Sequence, residues 1–287
     1  MKQGSFSVPD GSIFTDYTWE PTQQPKARIV VLHGMGSSAQ EFAPLGEYLS
    51  DKGYLVHAVN QRCNSFDPVV SRRGNAFDFQ ASRADFLAWL EHLEANQPAI
   101  PLFLVGESMG GLFAIRFLSQ PEIAARFSGV ILLSPVVELA RPTPQWLKQG
   151  LQILAKLWPT LVISPALFIH GKNTSVPLTR NKDYQNYVET APHRITSYTI
   201  RFTAGVAWLM QESQRLAPTL TLPLLLLNGS ADIFVTPEQS AAWFQKVGSS
   251  DRTHLVFPGS YHLLLHELNA EEVLGKIGLW LEARKSS

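Results

Sequence analysis

The chain is nearly free of cysteine: of 287 residues only Cys63 carries a thiol. That excludes an internal disulfide framework and suits a reducing compartment. An excess of charge of either sign is also missing, because 24 Lys and Arg stand against 24 Asp and Glu. Electrostatics therefore give no reason to expect nucleic acid as a partner. No apolar run approaches the roughly 20 residues of a membrane span; the longest, such as Leu222 to Leu227, have the length of buried strands. The opening residues Met1-Lys2-Gln3-Gly4-Ser5-Phe6 lack the apolar core of a secretory signal. Internal repeats and low-complexity segments are absent too. What is present is ample core material, 45% hydrophobic residues against 17% charged, and the expectation is a cytoplasmic globular protein.

Short apolar runs alternate with longer helical patterns, the rhythm of a parallel sheet with helices on both faces. Ser12 to Trp19 alternates and predicts an antiparallel edge strand. Ala27–Leu32, Tyr54–Val59, Ile100–Val105, Gly129–Leu133, Pro223–Leu227 and Thr253–Phe257 predict buried strands. Helices are expected over about 39–52, 78–96, 111–118 and 237–247, and from Leu263 onward. Between Pro135 and Pro218 the rhythm stops. Gln145–Trp158 and Arg194–Leu216 have helical period with apolar residues on more than one face, and prolines at 142, 144, 159, 165, 177, 192 and 218 cut the segment into pieces. A helical insertion this apolar is economically explained as a cap over an apolar site. Residues 1–135 and 219–287 are thus expected to form the core, and 136–218 the cap.

The pentapeptide Gly106-Glu107-Ser108-Met109-Gly110 lies between a predicted strand and an amphipathic helix. A nucleophilic serine works best on such a strained turn, with its hydroxyl projecting from the sheet edge. Glycines two before and two after leave the turn free of Cβ atoms, and the N–H groups opening the next helix face developing negative charge. A serine hydroxyl needs a base, and the base an orienting acid, expected in the chain order Ser, Asp or Glu, His. Asp232 follows the strand Pro223–Leu227 and fits the acid, with Glu138 as its competitor. His262 follows the strand Thr253–Phe257 and fits the base. His33, His57, His254 and His266 are weaker rivals, and the pair His262/His266 has no third ligand in view to make a metal site. The turn His33-Gly34-Met35-Gly36 closes another strand. With the residue after the nucleophile it supplies the two N–H donors acyl transfer needs, those of Met35 and Met109.

With these motifs in place the chain resembles the α/β-hydrolase superfamily, and within it the monoacylglycerol lipase and lysophospholipase branch of serine-aminopeptidase-like hydrolases. Further matches are Leu133-Ser134-Pro135, Leu178-Thr179-Arg180-Asn181, Gly229-Ser230-Ala231-Asp232 and Gly259-Ser260-Tyr261-His262-Leu263-Leu264-Leu265-His266-Glu267. The resemblance implies a mostly parallel eight-stranded sheet with an inserted helical cap. It implies Ser108 as nucleophile, Asp232 as acid, His262 as base, and Met35 and Met109 as oxyanion donors, with no metal or organic cofactor. The expected substrate is a lipid-like carboxylic ester, a monoacylglycerol or lysophospholipid, cleaved through an acyl-enzyme on Ser108. A thioesterase or acyltransferase on the same triad is the alternative within the fold, and a non-catalytic protein holding an apolar ligand the alternative outside it. The apolar cap is compatible with transient contact with a membrane surface. One stretch departs from the family pattern: Asn60-Gln61-Arg62-Cys63-Asn64-Ser65 stands where an acidic residue and Arg-Gly-His-Gly-x-Ser are usual.

Overall fold

The computed structural model describes residues 1–75, 77–95, 100–141, 145–163, 176–195 and 197–285. Asn96, Pro142, Pro144 and Pro165, which the sequence pattern singled out, lie outside the described residues. Ten strands are described: β1 (Lys2–Ser7), β2 (Ile13–Trp19), β3 (Arg28–Leu32), β4 (Leu55–Val59), β5 (Leu102–Glu107), β6 (Gly129–Leu133), β7 (Val162–Ile163), β8 (Tyr198–Thr199), β9 (Leu224–Gly229) and β10 (Arg252–Phe257). The helices are α1 (Ala43–Asp51), α2 (Phe79–Ala95), α3 (Met109–Leu118), α4 (Pro121–Ala124), α5 (Gln145–Leu157), α6 (Lys182–Thr190), α7 (Ile200–Leu216), α8 (Pro237–Phe244) and α9 (Ala270–Glu282).

Eight strands form one sheet in the order β1-β2-β4-β3-β5-β6-β9-β10. Only the β1–β2 and β2–β4 pairings are antiparallel; the rest are parallel. This is the α/β-hydrolase arrangement that the motifs imply. Strands β3, β5, β6 and β9 read as continuous apolar runs because both their faces are covered. Ile29, Val31, Phe103, Val105, Ile131, Leu225 and Leu227 pack under α1 and α9. Val30, Leu32, Leu104, Val130, Leu132 and Leu226 pack on the other face with Phe86 and Trp89 of α2, Leu112 and Phe117 of α3, and Trp243 of α8.

The chain leaves β3 for β4 on one side and returns to β5 on the other. Strand order therefore reverses at β3, and the loops at the carboxyl ends of β3 and β5 splay apart there, as ligand clefts in open α/β sheets require. Ser108 and the turn 33–36 both emerge at this point.

Three expectations need correction. Ser12–Trp19 is not the edge: β2 lies between β4 and β1, and β1 is the true edge. Only Phe6 of β1 is buried, so this strand carries no apolar alternation for a sequence reading to find. The helix expected from Arg194 starts at Ile200, where the Thr199 hydroxyl caps it by accepting from Phe202 N–H, and the preceding Tyr198–Thr199 pairs with Val162–Ile163. The helix expected from Leu263 starts at Ala270, after a single 3-10 turn at Leu264–His266. The segment between β6 and β9 also holds α6, a mostly polar helix that apolar periodicity does not reveal. No helix among the described residues is long and apolar enough to cross a membrane.

Candidate active site

Ser108 stands at the junction of β5 and α3 with φ 54° and ψ −116°. A non-glycine residue seldom adopts this backbone, and holding it costs on the order of 1–3 kcal/mol that the surroundings must supply. The flanking glycines show how. A Cβ at Gly106 would lie 2.6 Å from Gly110 O, and one at Gly110 would lie 2.1 Å from Leu32 O. The turn is thus pressed against both its own helix and the end of β3, and Ser108 N–H is tied to Leu133 O at 2.9 Å.

The sheet brings the predicted acid and base to that hydroxyl from far along the chain. His262 Nε2 is 2.9 Å from Ser108 Oγ, across 154 residues of sequence. On the other side of the ring His262 Nδ1 is 2.7 Å from Asp232 Oδ2. The second Asp232 oxygen accepts from Phe234 N–H at 2.8 Å and Val235 N–H at 3.4 Å, which fixes the carboxylate's orientation. Both side chains are buried. Burial alone would depress the His262 pKa, but the adjacent Asp232 carboxylate more than offsets it, so the ring titrates above its ordinary 6.5. With Asp232 accepting at Nδ1, the neutral ring carries its proton there and leaves Nε2 free to accept from the serine. Glu138, the competing acid, is exposed.

His262 is held by two motifs that are distant in sequence and touch in space. Leu263 N–H donates to Leu178 O at 2.9 Å, and the Thr179 hydroxyl to His266 O at 2.8 Å. The buried Glu267 carboxylate accepts from Tyr261 N–H at 2.8 Å and pairs with Arg180 Nε at 2.8 Å. One carboxylate thereby fixes both the loop that presents His262 and the segment leading into α6.

The turn 33–36 lies against the serine: a Cβ at Gly34 would sit 3.2 Å from Ser108 Cβ and 3.7 Å from its Oγ. Among the described residues none accepts a hydrogen bond from Met35 N–H or Met109 N–H. Burial pushes the His33 ring down to about 4, so it is neutral. The other rivals are also accounted for. His266 stacks on Tyr184 with ring centroids 3.6 Å apart and bonds Glu41 O at 2.8 Å, while His254 bonds Asn228 Oδ1 at 3.1 Å and His57 bonds Thr18 Oγ1 at 2.9 Å. Among the described residues no three His, Cys, Asp or Glu side chains gather as a metal site. Cys63 is buried, and burial pushes its thiol up to about 12.

Several polar residues beside the site escape sequence reasoning. Glu107, next to the serine, points to the α1 side of the sheet, where its Oε1 is buried without a hydrogen-bond partner. Burial pushes its carboxyl up to about 7. Nearby, Arg194 forms a buried ion pair with Glu41, which also accepts from Tyr184 O–H at 2.7 Å. Pairing of this kind is tertiary and leaves no spacing signature in the chain.

A profile of the family described as serine aminopeptidase, S33, matches residues 23–269. A monoglyceride lipase of Rattus norvegicus is 32% identical over 283 residues, 96% of this chain and 88% of that protein. A phospholipase of Bacillus subtilis is 27% identical over 263 residues, 90% of this chain and 95% of its own length. Among solved structures, a soluble variant of monoglyceride lipase from Saccharomyces cerevisiae, in complex with a substrate analog, superposes with a TM-score of 0.83 at 21% identity, covering 99% of this chain and 94% of that one. That likeness shows the shared fold, and the profile and the sequence relatives show the lineage: the chain belongs to the serine aminopeptidase (S33) family of α/β-hydrolases.

Proposed function

We propose that this chain, a serine hydrolase of lipid-type carboxylic esters, cleaves monoacylglycerols or lysophospholipids with Ser108 as nucleophile, His262 as base and Asp232 as orienting acid. The observation that carries the assignment is the hydrogen-bonded run Ser108 Oγ–His262 Nε2–Asp232, at 2.9 and 2.7 Å, on a strained strand-to-helix turn. Ser108 Oγ attacks the acyl carbonyl as Nε2 takes its proton, and Asp232 stabilises the imidazolium so formed. The oxyanion sits between Met35 N–H and Met109 N–H, both without an acceptor among the described residues. His262 then protonates the departing alcohol, and water activated by the same ring hydrolyses the acyl-enzyme.

Residues 136–218 act as the cap. Its exposed Trp146, Ile153, Leu157 and Trp158 on and beside α5 support an apolar substrate and transient contact with a lipid surface. Each acyl CH₂ taken from water is worth about 0.8 kcal/mol. The test is a hydrolysis panel of monoacylglycerols, lysophospholipids, acyl-CoAs and short aryl esters, with Ser108→Ala as control. Turnover of the glycerol- or glycerophospho-esters above the rest, abolished in Ser108→Ala, is expected. Full activity in Ser108→Ala overturns the nucleophile, and a preference for acyl-CoA overturns the substrate class.

A further inference from the structure

The loop that departs from the family pattern, Asn60–Ser65, makes a set of contacts that the proposed chemistry leaves unused. Four of them land on the turn that carries Met35. Gly36 N–H donates to Asn64 Oδ1 at 3.1 Å, and Gly36 O accepts from the Ser65 hydroxyl at 3.0 Å. Gln61 Nε2 donates to His33 O at 2.8 Å, and Gln61 N–H to His33 Nε2 at 3.1 Å. Asn60 Oδ1 accepts from Ala39 N–H at 2.9 Å, just beyond the turn.

These bonds decide where Met35 N–H points. In a trans peptide the C=O and the N–H are antiparallel, so the Gly34 carbonyl and Met35 N–H face opposite ways. Gly34 O accepts from His33 Nδ1 at 2.8 Å and from Ser37 N–H at 3.3 Å. The His33 proton lies on Nδ1 because Nε2 is occupied as an acceptor by Gln61 N–H. The next peptide is held through Gly36, gripped at its N–H by Asn64 and at its C=O by Ser65. Gly36 itself has φ 70° and could not carry a side chain there, since a Cβ would meet Tyr198 Oη at 2.5 Å.

The template is stiff in its own right. Asn64 and Ser65 are buried, and the backbone reaches them through Cys63 at φ 66°, a non-glycine residue in the left-handed region. Cys63 N–H is bonded to the buried Asp67 carboxylate at 2.7 Å, and Arg62 is clamped by Asp85 through two bonds of 2.6 and 2.7 Å. Left-handed backbone at a non-glycine is strained, because Cβ crowds the following carbonyl oxygen. It is sustained here by bonds that serve to deliver Asn64 and Ser65 to Gly36.

We propose that Asn64 and Ser65, with Gln61 acting through His33, are positioning residues that aim Met35 N–H at the oxyanion. The inference rests on the assignment of Met35 as an oxyanion donor. None of the three touches substrate. Their contribution is to the tetrahedral state, so it falls on kcat and on the affinity of tetrahedral adducts, not on ground-state binding.

The experiment measures Asn64→Ala, Ser65→Ala and the double variant for hydrolysis of a soluble p-nitrophenyl ester, for inhibition by an alkyl boronic acid, and for the pH profile of kcat/KM. Loss of an oxyanion donor itself costs about 100- to 1000-fold, so a misaimed donor should cost Asn64→Ala about 10- to 100-fold in kcat with KM within about twofold. The boronate inhibition constant should rise in proportion to the fall in kcat/KM. The pH midpoint should stay in place because His262 and Asp232 are untouched. The double variant should lose less than the product of the single losses, since both bonds hold one glycine. If Asn64→Ala does not fold, Ser65→Ala carries the same expectation at smaller size. Unchanged kcat, or a lower kcat with unchanged boronate affinity, overturns the inference. A wild-type protein that neither turns over the ester nor binds the boronate overturns the hydrolase assignment instead.

Discussion

Removing Arg194 tests how the stretch leading into α7 is fastened to Glu41. Its guanidinium pairs with Glu41, and the two side chains are 9% and 6% exposed. In Arg194→Met the Glu41 carboxylate keeps, among the described residues, the Tyr184 hydroxyl at 2.7 Å and the Ser38 hydroxyl at 3.3 Å. A buried charge stripped of its counter-ion typically costs about 3–5 kcal/mol, whereas removing both charges together costs far less. With an unfolding entropy near 2.1 cal/mol/K per residue over this length, about 0.6 kcal/mol/K, a loss of 4 kcal/mol lowers Tm by roughly 7 °C. The double variant Glu41→Gln/Arg194→Met should recover more than half of that loss, because a neutral amide still accepts from Tyr184. Calorimetric melting of the wild type, both single variants and the double variant gives the coupling directly. A Tm loss below about 2 °C in Arg194→Met, or a double variant no better than its worse single, refutes the idea that this pair anchors that stretch.

Further outcomes follow from the same geometry. The acid limb of kcat/KM should have its midpoint above 6.5, since the base must be neutral and Asp232 holds the His262 proton on; a pH–rate profile with a midpoint below 6.5 contradicts it. Gly110→Ala should abolish activity, because its Cβ would stand 2.1 Å from Leu32 O and drive the serine turn off the end of β3; esterase activity at wild-type level would contradict the packing. Cys63 should resist thiol reagents at pH 8 until denaturant is added, as its thiol is buried and pushed up to about 12; fast labelling of folded protein would contradict this. The His33 pKa is depressed to about 4, so its contribution to stability is complete above 6.5 and is lost as pH falls toward 4. By linkage that amounts to about 3 kcal/mol, and urea midpoints of His33→Gln should therefore depend less on pH across this window than those of the wild type.

How legible the molecule was from its residues depended on where each signal is written. Strands β3, β5, β6 and β9 announce themselves because both faces are covered and nearly every residue in them must be apolar. Strand β1 does not, because its pairing rests on backbone bonds while nearly all of its side chains face water. Helix α6 hides for a similar reason: of its nine residues only Val188 is buried. At the site, Ser108, Asp232 and His262, the residues proposed for catalysis, could be picked out because each sits in a local turn motif after its own strand. Glu41, Arg194 and Tyr184 are not, since their pairing joins residues up to 153 positions apart. The Asn60–Ser65 stretch is an intermediate case. Its departure from the family pattern is visible in the letters, but its hold on Gly36 exists only once β3 and β4 lie side by side.

The separation of 154 residues between Ser108 and His262 has a consequence for how the chain matures. The strained turn can form once β3, β5 and β6 have docked, yet its hydroxyl then has no proton acceptor. On the proposed triad, reactivity arrives only when β9 and β10 have joined the sheet and the Glu267–Arg180 clamp has set the loop that follows β10. A partly assembled chain therefore carries a chemically silent serine and cannot acylate itself on a passing ester. The moment at which an organophosphonate first traps Ser108 during refolding would serve as a clock for the last two strands.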